Sequence, residues 1–311
     1  KNFKYININM NLVSPITNSQ NITVLKKINS EKIINLYKKI GFDVSSSFLG
    51  LKTIDVCRCE DSKLVYFSPK SVAGDARFYE ALDKNAPNYY SPWKWEHEQV
   101  IKYVESANKI LEIGCAYGTF LKKAKSKGIS NAIGLELNEN AIADGIKNGL
   151  DIKGELIAEH KINHVNYYDL ICSFQVVEHI AELKDFFVDS IACLKPGGLY
   201  AISVPNNACY LFSNDPDHTL NLPPHHINLW DEQSLRNIAP MFGLSVLAVH
   251  KEPANKLNYG NYYEVFLRNT LKLKGESLEL VYKITRPIVK LAMRLLPPKY
   301  GACITVIYQK Q

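Results

Sequence analysis

The chain has 311 residues, 46% of them apolar and 22% charged, which is ordinary globular composition and enough for a large buried core. Its net charge of +6 is modest and its lysines are dispersed, with no RNA-binding signature or zinc finger, so no nucleic-acid partner is expected; a positive surface would suit an anionic small molecule. No apolar run is long enough to span a bilayer, and the seven cysteines (Cys57, Cys59, Cys115, Cys172, Cys193, Cys209 and Cys303) are odd in number and irregularly spaced, so the expectation is a cytoplasmic protein without signal peptide or disulfide framework.

Residues 1–92 open with a polar, Asn-rich lead, KNFKYININMNLV, expected to be loosely packed. A helical pattern follows at SEKIINLYKKIGF, then a strand-like piece, LKTIDVCRCEDSKLVYFSP. From 93 to 250 short apolar runs alternate with amphipathic helices. The strands are KILEIGC, NAIGLEL, a short one near DIKGEL, YDLICSF and LYAISVP, the last after a Pro-Gly-Gly turn. Strands joined by crossover helices and apolar throughout imply an α/β core, a parallel sheet between helix layers. Residues 251–300 are helical and basic and form an expected cap, and ACITVIYQ in 301–311 supplies a final antiparallel core strand.

The chemistry begins at ILEIGCAYGTF, where Gly114 and Gly118 flank a turn from buried strand to helix. Such a turn either merely connects the two elements or lets a ligand approach the backbone and the free N–H groups of the helix. One strand later, Glu136 ends AIGLEL, where its carboxylate can accept from both hydroxyls of a ribose or complement the dipole of the next helix. Together the turn and the spaced acid favour a nucleoside ligand. The spacing is G-x-x-x-G with Glu112 just ahead of it, and that acid would repel the pyrophosphate of a dinucleotide.

LEIGCAYGTF, GLELNENAI, YDLICSFQVVEHI and LKPGGLYAISVPN, in this order and spacing, resemble the class I S-adenosylmethionine-dependent methyltransferases, with a Rossmann-like fold, over residues 93–250. The resemblance implies S-adenosyl-L-methionine as cofactor. It puts Glu112, Gly114, Cys115 and Gly118 along the methionine part, Glu136 on the ribose, Leu137 beside the adenine, and Phe174 and Gln175 near the sulfonium. Ala116 stands where the family often has glycine.

Methyl transfer to a hydroxyl needs alignment and removal of a proton. His179, in FQVVEHI beside Glu178, and His225 and His226, in the proline-stiffened NLPPHHINLWDEQSL, are the candidate bases; an ordinary histidine pKa near 6.5 suits that task. Sugar methyltransferases of the wider family carry a histidine before a similar aromatic-then-helix segment, so His226 is the first choice and His225 the second. His179 could instead be a helix-start residue bonded to backbone. A metal held by His179, His225 and His226 is a weaker alternative, because their spacing has no regular ligand pattern, and no metal is expected.

IDVCRCEDSKLVYFSP resembles half of a zinc knuckle found ahead of some sugar methyltransferase domains. Ser62 stands where the second thiol belongs, so no structural zinc is expected. The aromatic stretch GDARFYEALDKNAPNYYSPWKWEHE is similar to a lid over the cofactor, with Tyr89, Tyr90, Trp93 and Trp95 as contacts and Tyr90 and Trp95 singled out; packing of an amphipathic helix on the sheet is the other reading. Lys283, Arg286, Lys290 and Arg294 recur at near-helical spacing among apolar residues, fitting a cap helix ahead of a membrane-surface helix. The function expected is methylation of a small polar acceptor, such as a sugar or nucleotide-sugar hydroxyl. A lipid-like or quinone-type acceptor and a non-catalytic cofactor- or partner-binding protein are the alternatives.

Overall fold

The computed structural model describes residues 12–85, 93–254, 259–273, 275–295 and 300–311. The asparagine-rich lead up to residue 11, and Tyr89 and Tyr90, lie outside them, as do the side chains of Lys290 and Arg294. In chain order the strands are β1 (Ile22–Asn29), β2 (Thr53–Cys59), β3 (Val65–Ser68), β4 (Lys109–Ile113), β5 (Asn131–Leu135), β6 (Asp151–Lys153), β7 (Tyr168–Phe174), β8 (Leu194–Pro205), β9 (Asn228–Leu229), β10 (Leu244–Lys251) and β11 (Cys303–Lys310). The helices are α1 (Ser30–Lys39), α2 (Ala76–Asn85), α3 (Trp95–Val100), α4 (Thr119–Ser126), α5 (Glu139–Lys147), α6 (Ile157–His160), α7 (Leu183–Cys193), α8 (Tyr210–Asn214), α9 (Glu232–Ile238), α10 (Tyr259–Thr270) and α11 (Gly275–Leu295).

The large sheet runs β10-β11-β8-β7-β4-β5-β6. β8, β7, β4, β5 and β6 are mutually parallel, and β11 is antiparallel to both β8 and β10. This is the Rossmann-like α/β core with an antiparallel final strand. Its strands are apolar because both faces are covered: Leu111, Ile171, Ile202 and Val306 belong to one apolar layer, Ile110, Leu170, Ala201 and Ile307 to the other. The expected Pro-Gly-Gly turn is instead the first part of β8, where the pairing with β7 slips between Tyr168/Leu194 and Leu170/Leu199. The extra residues form a bulge with Gly197 at φ 74°, so the chain passes from α7 into the sheet without a separate loop.

A second sheet, β1-β2-β3-β9, takes three strands from the N-terminal region and the fourth from the segment after β8. β1 lies between the polar lead and the expected helix, where no strand is expected, because it is an exposed edge with Lys26 and Lys27 beside a bulge, which blurs its alternation. Tyr37, Phe48, Val56 and Phe67 fill the core under this sheet together with Leu222 from the crossing segment. All seven cysteines are buried as free thiols. α10 and α11 pack on each other through Tyr263 and Tyr282, whose rings stack at 5.8 Å. The expected cap leaves Leu280, Ile284, Ile288 and Leu291 exposed along one stripe of α11, and no described helix is long and apolar enough to cross a membrane.

Candidate active site

β4 ends beside its parallel neighbours β5 and β7, so all three strand tips open on one cavity of about 1070 Å³. The first turn there is built by three left-handed residues, Gly114 (φ 72°), Ala116 (46°) and Gly118 (68°). A Cβ on Gly114 would stand 2.6 Å from Cγ2 of Val176, so both backbone conformation and packing demand glycine. Ala116 tolerates the same conformation while its N–H donates to Oε2 of Glu136 at 2.8 Å. Oε1 of Glu136 accepts from the N–H groups of Leu137 (2.7 Å) and Asn138 (2.9 Å), which fixes the carboxylate at the tip of β5 with lone pairs to spare.

Glu112, Gly114, Cys115, Glu136, Leu137, Phe174 and Gln175 all line this cavity. Glu112 is buried, its Oε2 has no hydrogen-bond partner, and burial followed by the charge of Glu136 pushes its carboxyl well above the usual range. A cationic amino group is the complement such an orphaned acid lacks. Burial also raises the Cys115 thiol, so it contributes shape rather than a nucleophile. Phe174 packs edge-on against His97 at 4.6 Å, and Gln175, itself left-handed at φ 57°, donates from its amide to Oε1 of Glu96 at 3.3 Å.

Two expected cofactor contacts do not reach the wall. Gly118 is buried behind it, where a Cβ would meet Cδ1 of Leu150 at 2.4 Å; it serves the packing of the turn. Trp95 does not line the cavity, whereas Lys94, just ahead of α3, and His97 within it do. Burial lowers the His97 imidazole to about 4, in a cage of Trp93, Phe120 and Phe174.

The other end of the cavity gathers His179, His225 and His226. The ring centroids of His225 and His226 lie 4.3 Å apart, and that of His179 is 4.7 Å from His225 and 5.0 Å from His226. Two chain segments are laced together to achieve this. The N–H groups of Ile227 and Asn228 donate to the carbonyl of Glu178, and the Asn228 amide donates to the carbonyls of Val177 and Ile180. From α1, the buried hydroxyl of Tyr37 donates to the carbonyl of Leu222 at 2.8 Å and meets the N–H of His225 at 3.4 Å; from α2, Tyr79 donates to the carbonyl of His225 at 3.2 Å. Tyr37, Tyr79 and Asn221 escaped the sequence reading because nothing local ties an N-terminal tyrosine to a loop some 185 residues on.

Each ring is oriented through Nδ1, which donates to the carbonyl of His225 (from His179, 2.6 Å), the carbonyl of Leu220 (from His225, 2.8 Å) and Oδ1 of Asn221 (from His226, 3.0 Å). The Asn221 oxygen is the acceptor because its amide nitrogen donates to Asn207. The His179 bond to backbone coexists with its place in the cluster. Burial lowers the imidazoles of His179 to about 4, His225 to about 3 and His226 well below the ordinary value, so the pKa near 6.5 expected of a base is not what this loop provides. Glu178 lies alongside, 1% exposed, with neither carboxyl oxygen hydrogen-bonded, and burial pushes it up to about 8.

The model of a methyltransferase domain matches residues 84–249, just over half the chain and the whole of both strand-tip turns. The chain belongs to the methyltransferase-domain family. It is 30% identical over 109 residues to a ubiquinone biosynthesis O-methyltransferase of Rickettsia prowazekii, covering 33% of this chain and 43% of that protein. It is 27% identical over 161 residues to a protein of Mycolicibacterium smegmatis described as an S-adenosylmethionine-dependent methyltransferase, covering 50% of this chain and 60% of that one. The matches thus span about half the length of these relatives. In fold, the methyltransferase-domain protein is similar to a SAM-dependent methyltransferase from Archaeoglobus fulgidus, with a TM-score of 0.50 at 18% identity over 76% of this chain and all of the other.

Proposed function

We propose that this methyltransferase-domain protein methylates an oxygen of a small polar acceptor, with a sugar or nucleotide-sugar hydroxyl as the leading class and S-adenosyl-L-methionine as donor. The observation that supports it is the single cavity whose one end holds Glu112, Gly114 and Glu136 and whose other holds the three histidines. The donor group supplies a methyl carbon already activated by a cationic sulfur. Glu112 and Glu136 would bind its amino and ribose groups, Leu137 would lie along its base, and Phe174 and Gln175 would border the reacting centre. The chain's own task is then to hold the acceptor in line and to receive its proton.

His226, and after it His225, are proposed to face that proton. Both are neutral at neutral pH, and with Nδ1 donating, each presents Nε2 as an acceptor. Lys94 on the same wall suits an acceptor carrying a phosphate. A second reading, methylation of a quinol-type hydroxyl, is favoured by the similarity to the ubiquinone biosynthesis O-methyltransferase of Rickettsia prowazekii.

Calorimetry with S-adenosylhomocysteine, followed by transfer of labelled methyl to nucleotide sugars, free sugars and catechol-type acceptors, tests both readings. His226→Ala is expected to retain affinity for the product nucleoside and lose turnover by about 100-fold or more. Nucleoside binding without transfer to any acceptor class would favour a non-catalytic protein, and no nucleoside binding would sink the proposal.

A further inference from the structure

The three histidines fit a second role that their spacing in the chain conceals. One nitrogen of each lies within 4.8 Å of the others. Every Nδ1 is committed to an oxygen of the surrounding shell, two main-chain carbonyls and one amide, so the tautomer of each ring puts a lone pair on Nε2. Fixing Nδ1–H on an oxygen while Nε2 points inward is how metal-ligating histidines are held.

We propose that His179, His225 and His226 bind one divalent transition-metal ion of the zinc class, with an open position turned toward the acceptor end of the cavity. Neutral imidazoles suit zinc, iron, nickel or copper, whereas magnesium and calcium want oxygen ligands. A tetrahedral ion at about 2.1 Å from each nitrogen sets them about 3.4 Å apart, so the cluster tightens by roughly an ångström at its widest pair on binding. Oε1 of Glu178 lies 3.9 Å from Nε2 of His179, buried and without a hydrogen bond, a carboxyl close to where the cation would sit. The cluster draws on two segments laced together by four backbone and amide hydrogen bonds and one from the His179 ring, and clamped by Tyr37 and Tyr79, the kind of rigid frame a coordination site requires.

The ion's presence does not depend on the methyl-transfer reading; only its task toward an acceptor does. With the ion in place, coordination would lower the pKa of an acceptor hydroxyl on the open position so that its proton could pass to solvent water, and the imidazoles would act as ligands where the reading above makes them bases.

The test uses the full chain, stripped with a strong chelator and titrated with Zn2+ against a chromophoric competitor and with Co2+ by visible absorption. One equivalent per chain is expected, with d–d bands of nitrogen-ligated cobalt. Asn221→Ala, which touches only the outer shell, should weaken binding by about 10–100-fold, and His226→Ala by more than that. Cys57→Ser should bind as the wild type does. S-adenosylhomocysteine calorimetry on the same samples reports folding and the donor end separately, so a chain that binds nucleoside but no metal overturns the site while leaving the methyltransferase reading intact. Absence of a stoichiometric ion in the wild type, or an affinity unchanged in Asn221→Ala and His226→Ala alike, overturns the proposal.

Discussion

Glu136 spends its oxygens on three backbone N–H groups, one of them from the turn after β4, and so couples the tips of two strands before any ligand arrives. Glu136→Gln gives up charge-assisted acceptance, worth about 1.5–3 kcal/mol, and sets an amide NH2 against at least one of those N–H donors, so affinity for S-adenosylhomocysteine should fall by about 10–100-fold in calorimetry and the melting temperature should fall with it. Gly114→Ala should also lower stability: a left-handed alanine costs about 1–2 kcal/mol, and the new Cβ presses on the stiff Val176. An unfolding free energy lowered by about 2–4 kcal/mol, read from the shift of the denaturant midpoint, is expected, and an unchanged midpoint would mean the turn relaxes freely. These two residues were legible in the sequence because a strand, a tight turn and the acid one strand on are local patterns. The wall near α3 was not, because the period of a short helix does not say which face meets the cavity; Lys94, just ahead of the helix, and His97 line it and Trp95 does not.

At the level of elements, the segment after β8 is held from outside the core. Tyr37 on α1 offers its hydroxyl to Leu222 and His225, and β9 completes the small sheet beside β3. Tyr37→Phe strands a buried carbonyl, which costs about 1–3 kcal/mol, and loosens the loop that carries two of the three histidines. We expect lower thermal stability together with weakened turnover, and nucleoside affinity close to wild type, since the donor end lies on other elements; equal losses in turnover and in nucleoside affinity would contradict this division. The crossover rhythm from β4 to β8 could be read directly from alternating apolar runs. β1 and β9 could not: one is an exposed edge and the other only two residues long, and both exist through pairing with distant chain. The lysine- and arginine-bearing α11 reads correctly as a helix, but its exposed Leu280, Ile284, Ile288 and Leu291 show that an apolar stripe in sequence need not find a partner within the chain.

For the molecule as a whole, acid should be the destabilising direction. His97 titrates near 4 in the fold because burial disfavours its charged form, whereas in the unfolded chain it takes a proton near 6.5. The unfolded state therefore binds more protons between those values, so this stabilisation is complete above about pH 6.5 and is lost as pH falls toward 4. Between pH 7 and pH 5 it amounts to about 2 kcal/mol. His97→Gln, which keeps an acceptor for the N–H of Lys94, should flatten the urea-midpoint profile across that window by about this amount, and a profile that keeps its slope would assign the acid sensitivity elsewhere.

β11 lies between β8 and β10, with Ile304, Val306 and Tyr308 fully enclosed. The neighbours β4, β5, β6 and β7 can assemble while the ribosome is still working, but β10 has no place in the sheet until residues 303–310 emerge. A nascent chain would therefore shape the nucleoside half first and leave one flank of β8 as a bare edge, open to stray pairing, until that strand arrives.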